Sequence, residues 1–171
     1  MFNCFLRLLM VSGLMLCADF GAATAQSSFL DFLKGQGVGK TAPDFTLDTL
    51  HAPKVNMTKF REGKPAILFF WATWCPHCRM ALKDLNKMVQ DIENKNIKIL
   101  LIDVGEQVPE VEEYAMKNKL TPDIFLDKES SSAESYGVIG VPTFIFVSSD
   151  GKIKAIEHVL PPNYEEILTK K

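Results

Sequence analysis

Cys75 and Cys78 stand two residues apart in the stretch FFWATWCPHCRMALKDL, which runs from Phe69 to Leu85. Two thiols at that spacing suit reversible dithiol exchange, half of a metal site, or a structural cross-link. The pair follows an apolar run and opens an amphipathic pattern, which puts Cys75 at a strand-to-helix junction. Unpaired N–H groups and the dipole at a helix N-terminus favour an anion there, and the thiolate is the nucleophilic form of cysteine. Cys78 falls about one helical turn later. In dithiol exchange Cys75 attacks, a mixed disulfide forms, and Cys78 resolves it. His77 can add positive charge or a hydrogen bond to the thiolate, and Pro76 suits a first helical turn. A lower Cys75 pKa stabilises the reduced form and makes the couple more oxidising.

The rival chemistries are weaker. A tetrahedral zinc site needs about four ligands, and His51, His77 and His158 are scattered along the chain. Covalent haem attachment needs His directly after the second cysteine, where Arg79 stands. A copper carrier using Cys75, Cys78 and His77 remains as an alternative. A cross-link closing so short a loop removes little entropy from the unfolded chain. The expectation is a redox dithiol with no bound metal or cofactor.

The other two cysteines, Cys4 and Cys17, belong to a different segment. MFNCFLR carries Arg7, LLMVSGLMLCA is a short apolar run, and small residues end at Ala23-Thr24-Ala25. These are the three parts of a secretory signal, with cleavage expected after Ala25. The run is short for a bilayer span and Asp19 interrupts it, so an uncleaved anchor is the rival and the only route to membrane contact. Leu16 precedes Cys17, where lipoprotein signals want a small residue. Residues 1–25 are therefore read as leader, 26–41 as linker and 42–171 as one domain. Export puts the mature chain in the bacterial periplasm or on the extracytoplasmic face of the membrane. Cys75 and Cys78 are then its only thiols, whereas an exported disulfide framework shows several spaced cysteines.

Composition agrees with a globular chain. Of 171 residues, 47% are apolar and 23% charged, which is enough for a real core. Net charge is −2 with no long basic run, so a nucleic-acid partner has no electrostatic footprint. A monomer is expected.

The elements that must position the pair follow from pattern. AILFFWA (Ala66 to Ala72) is a continuous apolar run, as in a strand buried on both faces. From Pro76 the period changes, and Leu82, Leu85, Val89 and Ile92 fall on one helical face. IKILLIDV is a second buried strand, PEVEEYAMKNK a helix opening with Pro and acids, IFLD a short strand and SSAESYG a short helix. TFIFVS, SDGK and IKAIEHV make a hairpin, and PNYEEILTK a last helix. Upstream, APDFTLDTL and VNMTKF read as extended segments and one helical turn. Alternating strands and helices argue for an α/β domain with a partly parallel central sheet.

FWATWCPHC before an amphipathic helix, with a distant GVPTFIFVSSDGKI, resembles the thioredoxin fold. APDFTL, IDVGE, FLD and YGVIGVPTFIFVSSDGKI extend the resemblance to the exported TlpA/ResA-like thiol-disulfide oxidoreductases, over Thr41 to Leu168. It implies a central mixed sheet flanked by helices, with a TlpA/ResA-type N-terminal extension. It also implies a cis Val141–Pro142 bond facing the cysteines. Val141 would then pair with an extended substrate segment as an added strand, with Trp74 beside the site and Trp71 in the core. The implied activity is disulfide reduction in exported proteins, cytochrome c maturation among the possible uses and cell redox homeostasis the wider setting. The implied partners are protein dithiols or disulfides and an upstream redox protein.

Three departures bear on mechanism. Family members often carry Glu three residues after the second cysteine and Pro two further on; Ala81 and Lys83 stand there. Thioredoxins proper carry a buried Asp where this chain has Phe69. Glu106, at the C-terminal end of ILLIDV where the cysteines also lie, is a substitute acid or base. The inner Pro76–His77 dipeptide is typical of the oxidant DsbA, which keeps a DsbA-like oxidant as the alternative, although that protein's large helical insert has no room between Ile97 and Thr143. APDFTL also opens peroxiredoxins, but Thr73 lies two residues before Cys75 rather than three and FFWATW lacks their Pro.

Overall fold

The computed structural model describes residues 37–169. The leader and residues 26–36 of the linker lie outside the described residues. Seven strands form one mixed sheet: β1 (Thr46–Thr49), β2 (Val55–Asn56), β3 (Ala66–Trp71), β4 (Lys98–Val104), β5 (Asp123–Asp127), β6 (Thr143–Val147) and β7 (Ile153–Glu157). Their order is β2-β1-β5-β4-β3-β6-β7. Strands β3, β4 and β5 are parallel, and β6 pairs antiparallel with β3. All six residues of β3 are buried. A central strand covered on both faces has no use for alternation, which is why AILFFW is apolar throughout.

Side chains of one strand alternate between faces, and the two faces carry separate cores. Ile67, Phe69 and Trp71 point to the face covered by α2 (Pro76–Asn94), α3 (Val108–Asn118) and α5 (Tyr164–Thr169). Leu68 and Phe70 point to the face covered by α1 (Met57–Arg61) and α4 (Ser131–Ser135). Helix α2 buries Cys78, Leu82, Leu85, Val89 and Ile92, the predicted stripe with the second cysteine as its first member. Truncating Leu85, 1% exposed, to Ala removes one of these contacts at a cost of about 2–5 kcal/mol. Because Cys78 belongs to this stripe, the packing of α2 fixes the height of the cysteine pair above the sheet.

The helices and strands fall where the periodicity puts them, within a residue or two. Residues 37–41, assigned to the linker, are hydrogen-bonded to the start of β7: Gly39 N–H donates to Ile153 O at 2.7 Å, and Ile153 N–H to Lys40 O at 2.9 Å. These contacts use backbone atoms only, so no side-chain pattern announces them.

Candidate active site

Strand β3 ends at Trp71, and the chain turns at Ala72–Cys75, where Cys75 N–H donates to Ala72 O at 3.2 Å. Cys75 is the N-cap of α2, and its sulfur accepts the Cys78 N–H at 3.1 Å. The cap position thus supplies the helix-terminal donor that a thiolate needs. Cys75 and Cys78 are joined as a disulfide with Cα atoms 5.2 Å apart. Cys75 is 4% exposed and Cys78 not at all, so an incoming thiol or disulfide reaches Cys75.

The Val141–Pro142 peptide is cis. It brings Val141 O within 3.7 Å of Cys75 Sγ. Two groups support this turn from behind. Thr143 Oγ1 donates to Gly140 O at 2.7 Å, and His158 Nδ1 lies 2.9 Å from Pro142 O. A carbonyl only accepts, so the His158 proton sits on Nδ1. Sequence reading passes over His158 for this role, because its partner is sixteen residues back across the β6–β7 ladder.

Apolar surface surrounds the disulfide. Trp74 is 65% exposed and Ile139 fully so. With Val104, Val138 and Val141 they line a cavity of about 240 Å³. On the other side a groove of about 620 Å³ runs between α2 and the end of β7, lined by His77, Met80, Met88, Pro142, His158 and Leu160. His77 is exposed on this groove and, among the hydrogen bonds of the described residues, makes none to Cys75. Pro76 begins α2, the position its ring suits.

Glu106, the expected acid or base, lies against the turn that leads to Cys75. Gly105, at φ +78°, turns the chain after β4 and sends Glu106 back toward the cysteine turn. There its carboxylate accepts both the N–H and the Oγ1–H of Thr73, each at 2.5 Å. Arg79 Nε donates to Thr73 O, also at 2.5 Å, while its guanidinium lies 5.9 Å from the Tyr114 ring. Glu106 therefore holds the residue two before Cys75. Position 69 holds an aromatic stack, Phe69 on Phe144 with centroids 4.2 Å apart.

A buried acid does lie near the pair, on the neighbouring strand. Asp103 of β4 is fully buried, and neither carboxyl oxygen has a hydrogen-bond partner. Burial, reinforced by the Glu106 carboxylate, pushes its pKa up to about 9. The signal in the sequence is a lone acid inside ILLIDV, which reads equally well as a strand end facing water. Among the described residues no cluster of three or more His, Cys, Asp or Glu could hold a metal ion.

A disulfide capping the first helix after a central strand, with a cis-proline turn against it, defines a thiol-disulfide oxidoreductase of the thioredoxin fold. Solved structures agree on the fold. The thioredoxin domain of a thiol-disulfide oxidoreductase from Bacteroides vulgatus superposes with a TM-score of 0.68 at 25% identity, covering 78% of this chain and 99% of that one. StoA from Bacillus subtilis gives 0.63 at 23% identity, covering 75% and 98%. Residues 38–156 match the AhpC/TSA family. Thiol-disulfide oxidoreductase ResA of Geobacillus thermodenitrificans is 34% identical over 143 residues, 84% of this chain and 81% of that one. The chain belongs to the AhpC/TSA family and groups there with the ResA thiol-disulfide oxidoreductases.

Proposed function

We propose that this protein is an exported reductant of disulfides in other exported proteins, apocytochrome c among the candidate substrates. Residues 1–25 are its leader, 26–41 its linker and 42–171 its catalytic domain, acting as a monomer on the periplasmic or extracytoplasmic side. The Cys75 thiolate attacks a substrate disulfide; a Cys75–substrate bond forms and the substrate S–S bond breaks, its leaving thiolate taking up a proton. Cys78 then gives up its proton and attacks Cys75 Sγ. The substrate leaves as a dithiol two electrons richer, and the Cys75–Cys78 disulfide is regenerated. An upstream dithiol protein must reduce it again. No bound cofactor takes part. Substrate binds as an extended segment along Val141, beside cis Pro142, with its apolar side chains on Trp74 and Ile139.

The observation that carries the reducing direction is the hydrogen bonding of Cys75. Its sulfur receives one backbone N–H, from Cys78, while His77 is turned into the groove. A thiolate with few donors is a less stabilised reduced form, and the couple is then more reducing. The oxidant alternative depends on the Pro76–His77 dipeptide, and this orientation of the imidazole speaks against it. Equilibration with glutathione buffers separates the two. A potential near thioredoxin's, about −270 mV, supports the reductant, and one near DsbA's, about −120 mV, rejects it. Copper titration of the reduced protein disposes of a metal carrier if no ion binds at micromolar metal.

A further inference from the structure

A groove of about 840 Å³ lies between α2 and α3. Arg79, Lys83 and Lys87 line it from successive turns of α2, and Lys117 and Lys119 from the end of α3. All five are exposed, and no Asp or Glu shares the lining. The whole chain has a net charge of −2, so this concentration of cations is local. Like charges four residues apart destabilise a helix, so the row on α2 works against the element that carries it. Among the described residues only Lys87 has an ion partner, Asp84 at 2.8 Å; Arg79, Lys83, Lys117 and Lys119 have none. Between the cations the surface is apolar, with Met80, Leu82, Tyr114 and Leu120. The two walls are tied together, because Asn86 Nδ2 donates to Lys119 O at 3.3 Å and Asn86 Oδ1 accepts the Thr121 N–H at 3.4 Å.

The groove begins at the redox turn. Arg79 N–H donates to Cys75 O at 3.1 Å, and Arg79 Nε to Thr73 O at 2.5 Å. Its two terminal nitrogens have no acceptor among the described residues, and its guanidinium lies 5.9 Å from the Tyr114 ring inside the groove. That leaves the edge of the fork that pairs with a carboxylate. From Arg79 to Lys87 the helix rises about 12 Å, the span of about four residues of extended chain. We propose that this groove docks an acidic segment of the protein that exchanges disulfides with Cys75. The segment lays its backbone and aliphatic stems on Leu82, Tyr114 and Leu120, and its carboxylates meet the lysines at the rim and Arg79 at the end nearest the cysteines. The cations steer the partner in and set its orientation on the disulfide, which acts on the rate of association. A concave site with an apolar floor suits a chain segment better than the flat face of a membrane.

The inference rests on dithiol exchange at Cys75 and Cys78 and holds for either direction. The test uses the full chain in reduced form, with Cys4→Ser and Cys17→Ser so that only the active pair reacts. Its second-order rate is measured with peptides that share one disulfide and differ in the flank beside it: acidic, neutral or basic. At about 20 mM salt the acidic peptide should react about tenfold faster than the basic one, and at about 0.5 M the two should come within about twofold. Lys83→Glu with Lys117→Glu should reverse that order. The same variant should keep its rate with hydroxyethyl disulfide, an uncharged probe, within about twofold of native, which shows that the fold and the pair are intact. Lys40→Glu with Lys59→Glu makes an equal change in net charge outside the groove and should keep the native preference. Equal rates for acidic and basic peptides at low salt overturn the proposal, and so does an equal loss of preference in both double variants. Phosphatidylglycerol vesicles that bind the native chain and not the K83E/K117E variant, with peptide rates level, overturn it in favour of an anionic membrane. A native chain inert toward hydroxyethyl disulfide instead removes the dithiol reading itself, and this inference with it.

Discussion

Asp103 and Asp127 occupy adjacent strands at the same end of the sheet and are equally hidden, at 0% and 1% exposure. Their surroundings are opposite. Asp127 faces α4, where Ser131 Oγ, Ser132 N–H, Ser132 Oγ and Ala133 N–H all donate to its two oxygens, at 2.6 to 3.3 Å. It fastens the first turn of a short helix to the sheet. Asp103 faces the cysteine side and receives no donor at all. One aspartate is a structural clasp; the other is kept at a cost to stability beside the redox turn. Burial alone therefore does not say whether an acid builds the fold or serves the site. The difference lies in whether the fold supplies donors.

The largest expected effect lies on the clasp. Asp127→Ala leaves two backbone N–H groups and a buried hydroxyl without acceptors, and should lower unfolding free energy by about 3–5 kcal/mol in urea melts. A loss below about 1 kcal/mol would erase the contrast.

Asp103→Asn should do the reverse. The folded pKa of about 9 lies above the ordinary carboxylate value of 3.8, so folding takes up a proton between those limits. That stability is fully present below pH 3.8 and is lost as pH rises toward 9, at up to about 1.4 kcal/mol per pH unit. Asn does not titrate, so D103N protein should match native near pH 4 and exceed it by about 5 kcal/mol at pH 8. Equal pH slopes for the two would show that Asp103 is charged in the folded state.

Glu106→Gln comes next, with about a tenfold loss in exchange rate, equivalent to about 1.4 kcal/mol of barrier. Its melting temperature should move little, which separates loss of positioning from loss of folding. Smallest is His77→Ala. An imidazole that points into the groove and makes no bond to Cys75 should shift the potential by less than about 30 mV. A shift above about 60 mV would put the imidazole on the sulfur.

These contrasts also mark how far sequence reaches. Strand β3 and helix α2 are legible because their burial follows a period, Cys75 and Cys78 because their spacing is distinctive, and the Val141–Pro142 turn only through the resemblance carried by GVPTFIFVSSDGKI. Glu106 is legible as an acid at the right sheet edge, but its partner is not, since a bidentate hold on Thr73 depends on a glycine turn at Gly105. Asp103 is opaque for a different reason. A single acid near a strand end reads as exposed until one knows that Trp71 lies beside it and α3 closes the same face. The orientation of His77 is likewise a rotamer, which composition does not encode. The docking of residues 37–41 on β7 uses main-chain bonds common to every sequence.

The reduction potential of the Cys75–Cys78 couple tests the central claim most directly. Equilibrated against glutathione and read by thiol alkylation, it should fall below about −200 mV, on thioredoxin's side of the range. A value near −120 mV, roughly that of DsbA, would contradict a reductant and make the protein a donor of disulfides instead.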